Sequence, residues 1–548
     1  MKLSKKDKAF RTNKVSYVDY KLIEMDRVLT NLFARLKYNG APSKLHAKPM
    51  TLGLYQEEFL DPKNEHWFKN FQEAPTTVGK WIETHLVDLV NRGKANEVVA
   101  SPRPLHGNTY LFRNPKYCRD YGVSQQVYEL LYQASNGQAA LSLLKQFFFT
   151  GVNTTTGQYD NQAEVDVETQ ALLRLSDQVK SDAPDTTALS ERYAPLIQQA
   201  ADIFAEDIIR LLTYKQYIPR SVMVDYIKVL MAFHLGLYQL RLMKLLPALF
   251  RSKGGQIDDV EKSKVGLYVD VTGARNSQSI DLARASAGLH FKRIPAFIKS
   301  YFAVKKLDEF AETLSKKGKL PGSKSIAKMP VAELLKLLES PFSQERDMFF
   351  GQRNSGILDA SISALNDQED IPPEIRAIAK LGLSEFETYI EILLYVQGNA
   401  IRSGMVKSLD SLMLKNKPGA LLRQTRGGNA ERQFVLDSRL LEVLLQLAVL
   451  KPGGHLGFHT SELRIDELLS FLKSRYGLHI DCLPDTDGFV DETINVRKTL
   501  RENLVGFKRR LREIGFYKDL SDAYISQTVS PRYVISQHAA EPIDRGIA

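Results

Sequence analysis

Apolar residues recur along residues 17–38 at the spacing of an amphipathic helix. Gly40 and Pro42 follow this segment and end the predicted helix. The positions that fall on its apolar face are Leu22, Met25, Val28, Leu29, Leu32, Phe33 and Leu36. We therefore expect one side of this helix to pack against a core.

The segment 193–250 is the longest regular apolar stretch in the chain. Its pattern predicts two helices that are joined at 217–220. The second helix is apolar on nearly all sides, which is typical of a helix buried in a large helical core. His234 lies within it, and a histidine in such surroundings is more often a core residue than a metal ligand.

The pattern of elements divides the chain into three predicted regions. Residues 1–120 combine a basic arm, one helix and an irregular segment, and residues 121–370 form a large helical core domain with a small strand-containing insert near 265–290. An acidic segment with two prolines near residue 370 marks the next boundary, and residues 371–548 form a C-terminal helical region. The predicted fold class is mainly α: a multidomain helical protein with small β elements.

The C-terminal region contains short strands, two capped helices and a final basic helix that ends at Gly515. This order resembles a winged-helix module, in which the basic side chains of the last helix would face a phosphate backbone. A helical partner-binding module with solvated arginines is the alternative interpretation.

Charge is distributed in blocks along the chain. The 548 residues carry 74 Lys and Arg against 64 Asp and Glu, and the formal net charge is +10. Residues 1–50 and 211–330 are basic, whereas residues 160–210 are acidic. Such blocks suit a surface that meets phosphate, although charged helices can also simply be solvated.

The basic blocks supply the candidate nucleic-acid-binding residues. We predict that they contact phosphates without reading sequence. The candidates are Lys5, Lys6, Arg11, Lys14, Lys292, Arg293, Lys305, Lys306, Arg501, Lys508, Arg509, Arg510 and Arg512.

Catalytic signatures are weak, and we assign no catalytic residue, metal ligand or cofactor. The sequence GKLPGSKS at 318–325 is one residue away from a phosphate-binding loop, but it follows a polar helix rather than a strand. His455 and His459, with Glu462 nearby, do not have the spacing expected for ligands of one ion. Asp270 on a predicted strand and Asp281 after it are the best acids for a metal-dependent nuclease, although both also suit turn and cap positions.

Two cysteines, Cys118 and Cys482, cannot form a disulfide framework, and the basic N-terminus is not a secretory signal. No stretch reaches the ~18 uninterrupted apolar residues of a spanning helix. We therefore expect a soluble cytoplasmic protein.

Several blocks of the chain resemble proteins of bacterial phage-defence islands, in particular an accessory subunit of the methylation-associated defence system. The blocks are YVDYKLIEMDRVLTNLFARL, KLHAKPM, FHLGLYQLRL, RYGLHID and FKRRLREIGFYKDLSDAY. The resemblance implies a role in a multi-protein complex that restricts foreign DNA beside a methyltransferase.

These observations together favour a non-catalytic nucleic-acid-binding or scaffolding subunit of a defence complex. Its expected partners are nucleic acid, with duplex DNA favoured, and other subunits of the complex, without a membrane. Two alternatives remain: a metal-dependent effector nuclease built around Asp270, and a protein-interaction hub organised by the acidic segment 160–210.

Overall fold

The computed structural model describes residues 3–537 with internal gaps. The gaps are 45–49, 66–67, 161–162, 164, 177–178, 180–181, 189–190, 275–276, 321, 323–325, 340, 364–371, 426–430, 455–456, 486–487, 490–492 and 519–527. The predicted boundary near residue 370 and His455 lie outside the described residues.

Helices dominate the described part of the chain, so the mainly α fold class is confirmed. In the N-terminal half the α-helices are Lys5–Lys8, Met25–Lys37, Leu52–Leu60, Pro75–Trp81, Val123–Gln133, Gly137–Phe148, Val167–Ser176, Gln198–Leu212, Arg220–Arg251 and Asp259–Ser263. Those that follow are Gln278–Phe291, Ile294–Lys316, Val331–Lys336, Ser343–Ser363, Pro373–Ala379, Glu385–Met413, Ser438–Ala448, Ile465–Tyr476 and Ile494–Glu513. Single turns of tighter or wider helix occur at Pro62–Asn64, Ile82–Leu86, Gly107–Phe112 and Thr186–Ala188.

The β elements are short and scattered. Antiparallel pairs join Val87–Val90 to Val98–Pro102, Leu422–Gln424 to Arg432–Phe434, and Leu450–Pro452 to Phe458–Thr460. A three-stranded sheet has the order Tyr517–Lys518, Thr528–Val529, Leu463–Arg464. Leu267–Tyr268 pairs in parallel with Leu478–His479, so a strand from the middle of the chain lies beside one near its end.

The helix Arg220–Arg251, called the central helix below, organises the core. Its apolar character on all sides is explained by its neighbours, because the helices Gln198–Leu212, Ile294–Lys316, Glu385–Met413 and Ser438–Ala448 all contact it. It is long and apolar enough to cross a membrane, but 78% of its most apolar window is buried inside the fold. This burial favours the core helix of a soluble protein over a membrane span.

One contiguous cluster of buried apolar side chains extends from Leu3 to Ile535. The three predicted regions therefore share this cluster, and the boundaries at 120 and 370 stay predictions. The winged-helix interpretation of the C-terminal region also stays a prediction.

The first predicted helix is shorter than its apolar pattern indicates. It begins at Met25, and Leu22 is 52% exposed. The preceding backbone is bonded elsewhere: the side chain of Gln126 accepts from the amide of Tyr17 at 2.9 Å, and that of Ser411 accepts from the amide of Ile23 at 2.9 Å. These contacts replace the helical hydrogen bonds, which sequence periodicity alone does not reveal.

A buried polar cluster joins the central helix to the C-terminal region. Asp207, which is fully buried, accepts hydrogen bonds from His234 at 2.9 Å, from Arg475 at 2.6 and 2.9 Å, and from Tyr476 at 2.7 Å. Burial alone would raise the pKa of Asp207, but the hydrogen bond from His234 and the charge of Arg475 hold it below its ordinary value. His234 is thus a hydrogen-bonded core residue, as its sequence context predicts.

Candidate nucleic-acid interface

The helix Ile494–Glu513, called the basic helix below, is anchored by its inner face. Thr493 caps it by accepting from the amide of Val496, and Phe507 and Leu511 are buried beneath it. Asn503 is buried and accepts from the amide of Val271 at 2.9 Å, while its amide group donates to the carbonyls of Val269 and Ile480, both at 2.9 Å. This asparagine therefore fixes the helix on the segments that directly follow the paired strands Leu267–Tyr268 and Leu478–His479.

A glycine allows the closest approach of the basic helix to the rest of the fold. A Cβ atom at Gly506 would lie 2.9 Å from the Cα of Thr272, so a larger residue would push the helix away. Arg509 reinforces the contact by donating to the carbonyl of Thr272 at 2.6 Å. The outer face of the helix is consequently held in one orientation.

That outer face is basic and open to solvent. It also exposes two apolar side chains, Ile494 at 86% and Val505 at 68%. Residues at spacings of three and four share this face, and they are Ile494, Lys498, Arg501, Val505, Lys508 and Arg512. We call this set the basic stripe.

Two members of the basic stripe are free to bind a phosphate. Arg501 and Lys508 have no ion-pair partner among the described residues, whereas Lys498 lies 4.0 Å from Glu502. Arg512 lies over the ring of Tyr517 at 5.1 Å. Unpaired Arg and Lys side chains are among the groups that contact phosphates in protein–DNA interfaces.

Arg510 points away from the stripe. It donates to the hydroxyl of Ser438 at 3.1 Å and pairs with Glu513 at 3.4 Å. Together with Asp270, Gly273, Lys415, Arg423, Val435, Leu436 and Asp437 it lines a small cleft of about 40 Å³. Asp270 and Asp437 thus line one cleft with Lys415, whereas Asp281, the second acid of the nuclease alternative, does not line it.

Hydrogen bonds give Asp270 a structural role in that cleft. It is buried, and its Oδ1 accepts from the hydroxyls of Thr272 and Ser279, each at 2.8 Å. Asp281 lies in the first turn of its helix and pairs with Arg284 at 3.2 Å. Both acids therefore occupy the turn and helix-start positions that the sequence also suggests.

No group of three or more His, Cys, Asp or Glu side chains within the described ranges could hold a metal ion.

The N-terminal arm lies against the second basic block. Phe10 stacks on Tyr301 with ring centroids 4.4 Å apart, and Lys306 donates to the carbonyl of Lys6 at 2.6 Å. Lys5, Lys6 and Arg11 remain exposed. The structure therefore brings these two basic blocks together.

Two of the predicted phosphate-binding residues in these blocks, Lys14 and Lys306, are buried. The expectation that they bind phosphate has to be corrected. Lys14 donates to the carbonyls of Ile326, Ala327 and Met329 at 2.8 to 3.0 Å. Lys306 is fully buried and also donates to Glu309 at 3.2 Å. Burial lowers the pKa of both lysines. Their ammonium groups stabilise the fold and are not open to a phosphate.

Of the remaining candidates, Lys292 and Arg293 lie at the junction of two helices, and Lys305 lies within the second of them. Lys292 is exposed at the end of the helix Gln278–Phe291, which packs against the basic helix. Arg293 donates to the ring of His290 at 3.0 Å, and Lys305 lies 3.8 Å from Glu309. Lys292 is thus the most accessible of the three.

The acidic segment 160–210 is engaged inside the fold. Asp166 lies 3.8 Å from Arg220, Glu168 accepts from Trp81 at 3.1 Å, and Asp182 pairs with Lys37 at 3.3 Å. These carboxylates already have partners, so they offer less to a basic partner protein than their number suggests.

Sequence reasoning missed Lys498, although its spacing from Arg501 and Lys508 would have placed it on the same helical face. It also missed Lys415 and Arg423, because residues distant in sequence converge on the cleft of Arg510 only through folding.

The geometry defines a mainly helical protein with an exposed basic helix fixed on a large core. Residues 5–533 match the family described as Methylation-associated defense system protein MAD7, so the chain belongs to this family. The resemblance noted in the sequence blocks is thereby confirmed. No curated protein and no solved structure matches the chain.

Proposed function

We propose that this protein is a non-catalytic nucleic-acid-binding or scaffolding subunit of a cytoplasmic defence complex, with duplex DNA as the ligand. Its family places it in a methylation-associated defence system, whose other components are its expected partners. The basic stripe carries the nucleic-acid part of the proposal, because Arg501 and Lys508 are solvent-accessible cations without acidic partners among the described residues.

The mechanism is electrostatic. Each lysine or arginine that neutralises a phosphate releases condensed counterions, so affinity falls steeply as salt rises. The stripe binds the backbone, while the arm with Lys5, Lys6 and Arg11 adds further contacts. Such contacts orient the duplex without reading its sequence.

A salt series of gel-shift assays on a 30-base-pair duplex tests the proposal. We expect a linear fall of log affinity with log salt, and a slope about 2 to 3 smaller in magnitude for the variant Arg501→Gln, Lys508→Gln, Arg512→Gln, because about 0.9 counterion is released per phosphate contact. Binding that is absent, or has the same slope in this variant, would contradict it.

A matched control removes the same charge from other exposed sites. Lys63, Lys69 and Lys94 are exposed lysines outside the basic blocks of the candidate interface. Their triple glutamine variant should keep the wild-type slope. An equal loss in both variants would indicate a net-charge effect without a defined surface.

A further inference from the structure

A cavity of about 660 Å³ lies beside the basic helix and outside the phosphate contacts proposed above. Its floor is apolar and is formed by Leu282, Leu289, Phe489 and Val496. Val496 belongs to the basic helix, so the cavity adjoins the proposed duplex surface. The volume falls within the ~300–1,000 Å³ typical of sites for small ligands.

Three cations and one acid stand on the wall of this cavity. Lys292 has no ion-pair partner among the described residues. The Nε atom of Arg284 is buried without a hydrogen bond, and the carboxylate of Glu431 lies 3.8 Å from it. Asp281 and Glu431 offset the charge of Arg284, so Lys292 is the cation that stands over the apolar floor without an acidic partner among the described residues.

The third cation stabilises an aromatic wall. Arg432 donates two hydrogen bonds to Asp410, at 2.6 and 2.7 Å, and its guanidinium lies 5.1 Å from the centre of the Phe291 ring. Phe291 and Phe489 both line the cavity. Aromatic faces beside cations are the elements on which unstacked bases bind in single-stranded nucleic acid.

We propose that this cavity binds one unstacked nucleotide of a single-stranded nucleic acid, with the base on the apolar floor and its phosphate at Lys292. This inference rests on the proposed nucleic-acid function and extends it from duplex backbone to single strands. An acidic peptide would match the charge but would not use the two aromatic rings.

Gly288 provides a way to fill the cavity without disturbing the fold. It lines the cavity within a helix, and a Cβ atom placed there meets no other atom within 4 Å. Leucine is also a better helix former than glycine. Gly356 is a matched control, because it is an exposed helical glycine with equally open surroundings elsewhere.

The test is fluorescence anisotropy with a labelled 15-nucleotide DNA strand and with a duplex of the same length. We expect Gly288→Leu to weaken strand binding roughly tenfold, in line with the contribution of one stacked base, and Lys292→Ala to weaken it through loss of the phosphate contact. Duplex binding by Gly288→Leu, and both activities of Gly356→Leu, should match the wild type.

Other outcomes overturn the inference. Wild-type protein that does not bind the strand, or Gly288→Leu that binds it as tightly as Gly356→Leu does, would exclude a nucleotide in the cavity. Wild-type protein that does not bind the duplex would instead refute the proposed function. Failure of this inference and failure of the proposed function therefore give different results. Free dAMP could stabilise wild-type protein and not Gly288→Leu, while this variant still binds the strand as the wild type does. That result would show that the cavity takes a free nucleotide and would refute a strand as its source. A labelled acidic peptide that binds in place of the strand would identify a protein partner.

Discussion

Replacing Asp207 with alanine should destabilise the protein severely. The fully buried carboxylate accepts four hydrogen bonds from His234, Arg475 and Tyr476, and these come from the central helix and from the helix Ile465–Tyr476. Removing it leaves His234 and Tyr476 without their buried acceptor and Arg475 with only the partly exposed Glu206, and loss of a buried charged partner costs about 3–5 kcal/mol.

The neighbouring Glu206 is the matched control. It pairs with the same Arg475 at 3.1 Å and with Arg210 at 2.9 Å, but its side chain is 36% exposed. Solvent screens such a pair, so Glu206→Ala should cost less than about 1 kcal/mol.

Urea denaturation followed by circular dichroism at 222 nm measures both variants. The first unfolding transition of Asp207→Ala should move to clearly lower urea, and that of Glu206→Ala should barely move. Because a chain of this size need not unfold in one step, the shift of that transition is the quantity to compare. Equal shifts in the two variants would refute the idea that Asp207 joins the central helix to the C-terminal region.

Two further predictions concern acid stability and the nuclease alternative. His106 is buried and neutral: its Nδ1 accepts from the amide of Asn108 at 3.1 Å, and burial lowers its pKa to about 3. The contribution of neutral His106 to the free energy of unfolding is therefore complete above the ordinary histidine pKa of about 6.5 and is lost as pH falls below that value, by about 2 kcal/mol at pH 5. The free energies of unfolding from urea titrations at pH 7 and pH 5 should consequently differ more for the wild type than for His106→Gln. Plasmid incubated with Mg²⁺ or Mn²⁺ should stay intact, and cleavage that Asp270→Ala abolishes would establish the nuclease alternative.

The sequence allowed the fold class to be predicted, but not the shared core. Uniform apolarity around 221–250 was sufficient to predict the buried central helix, because a helix with no polar side must be surrounded. The parallel pairing of Leu267–Tyr268 with Leu478–His479 joins segments that are far apart, and no local pattern indicates it. Local periodicity was also misleading at Leu22, where hydrogen bonds to other segments replace the hydrogen bonds of a helix.

The candidate site was predictable in part. Basic residues identified the surface, and the helical spacing places Arg501 and Lys508 on one side. Burial cannot be inferred from charge alone, however, so Lys14 and Lys306 were included although their ammonium groups lie against backbone carbonyls. The aromatic cavity was missed because its walls, Phe291 and Phe489, come from separate segments.

Cross-linking of duplex DNA to the protein, followed by mass spectrometry, tests the central claim most directly. We predict cross-links in peptides that contain Arg501 and Lys508, and in the arm with Lys5 and Lys6. Cross-links confined to Lys63, Lys69 and Lys94, or spread evenly over the exposed lysines, would contradict a defined basic surface for nucleic acid.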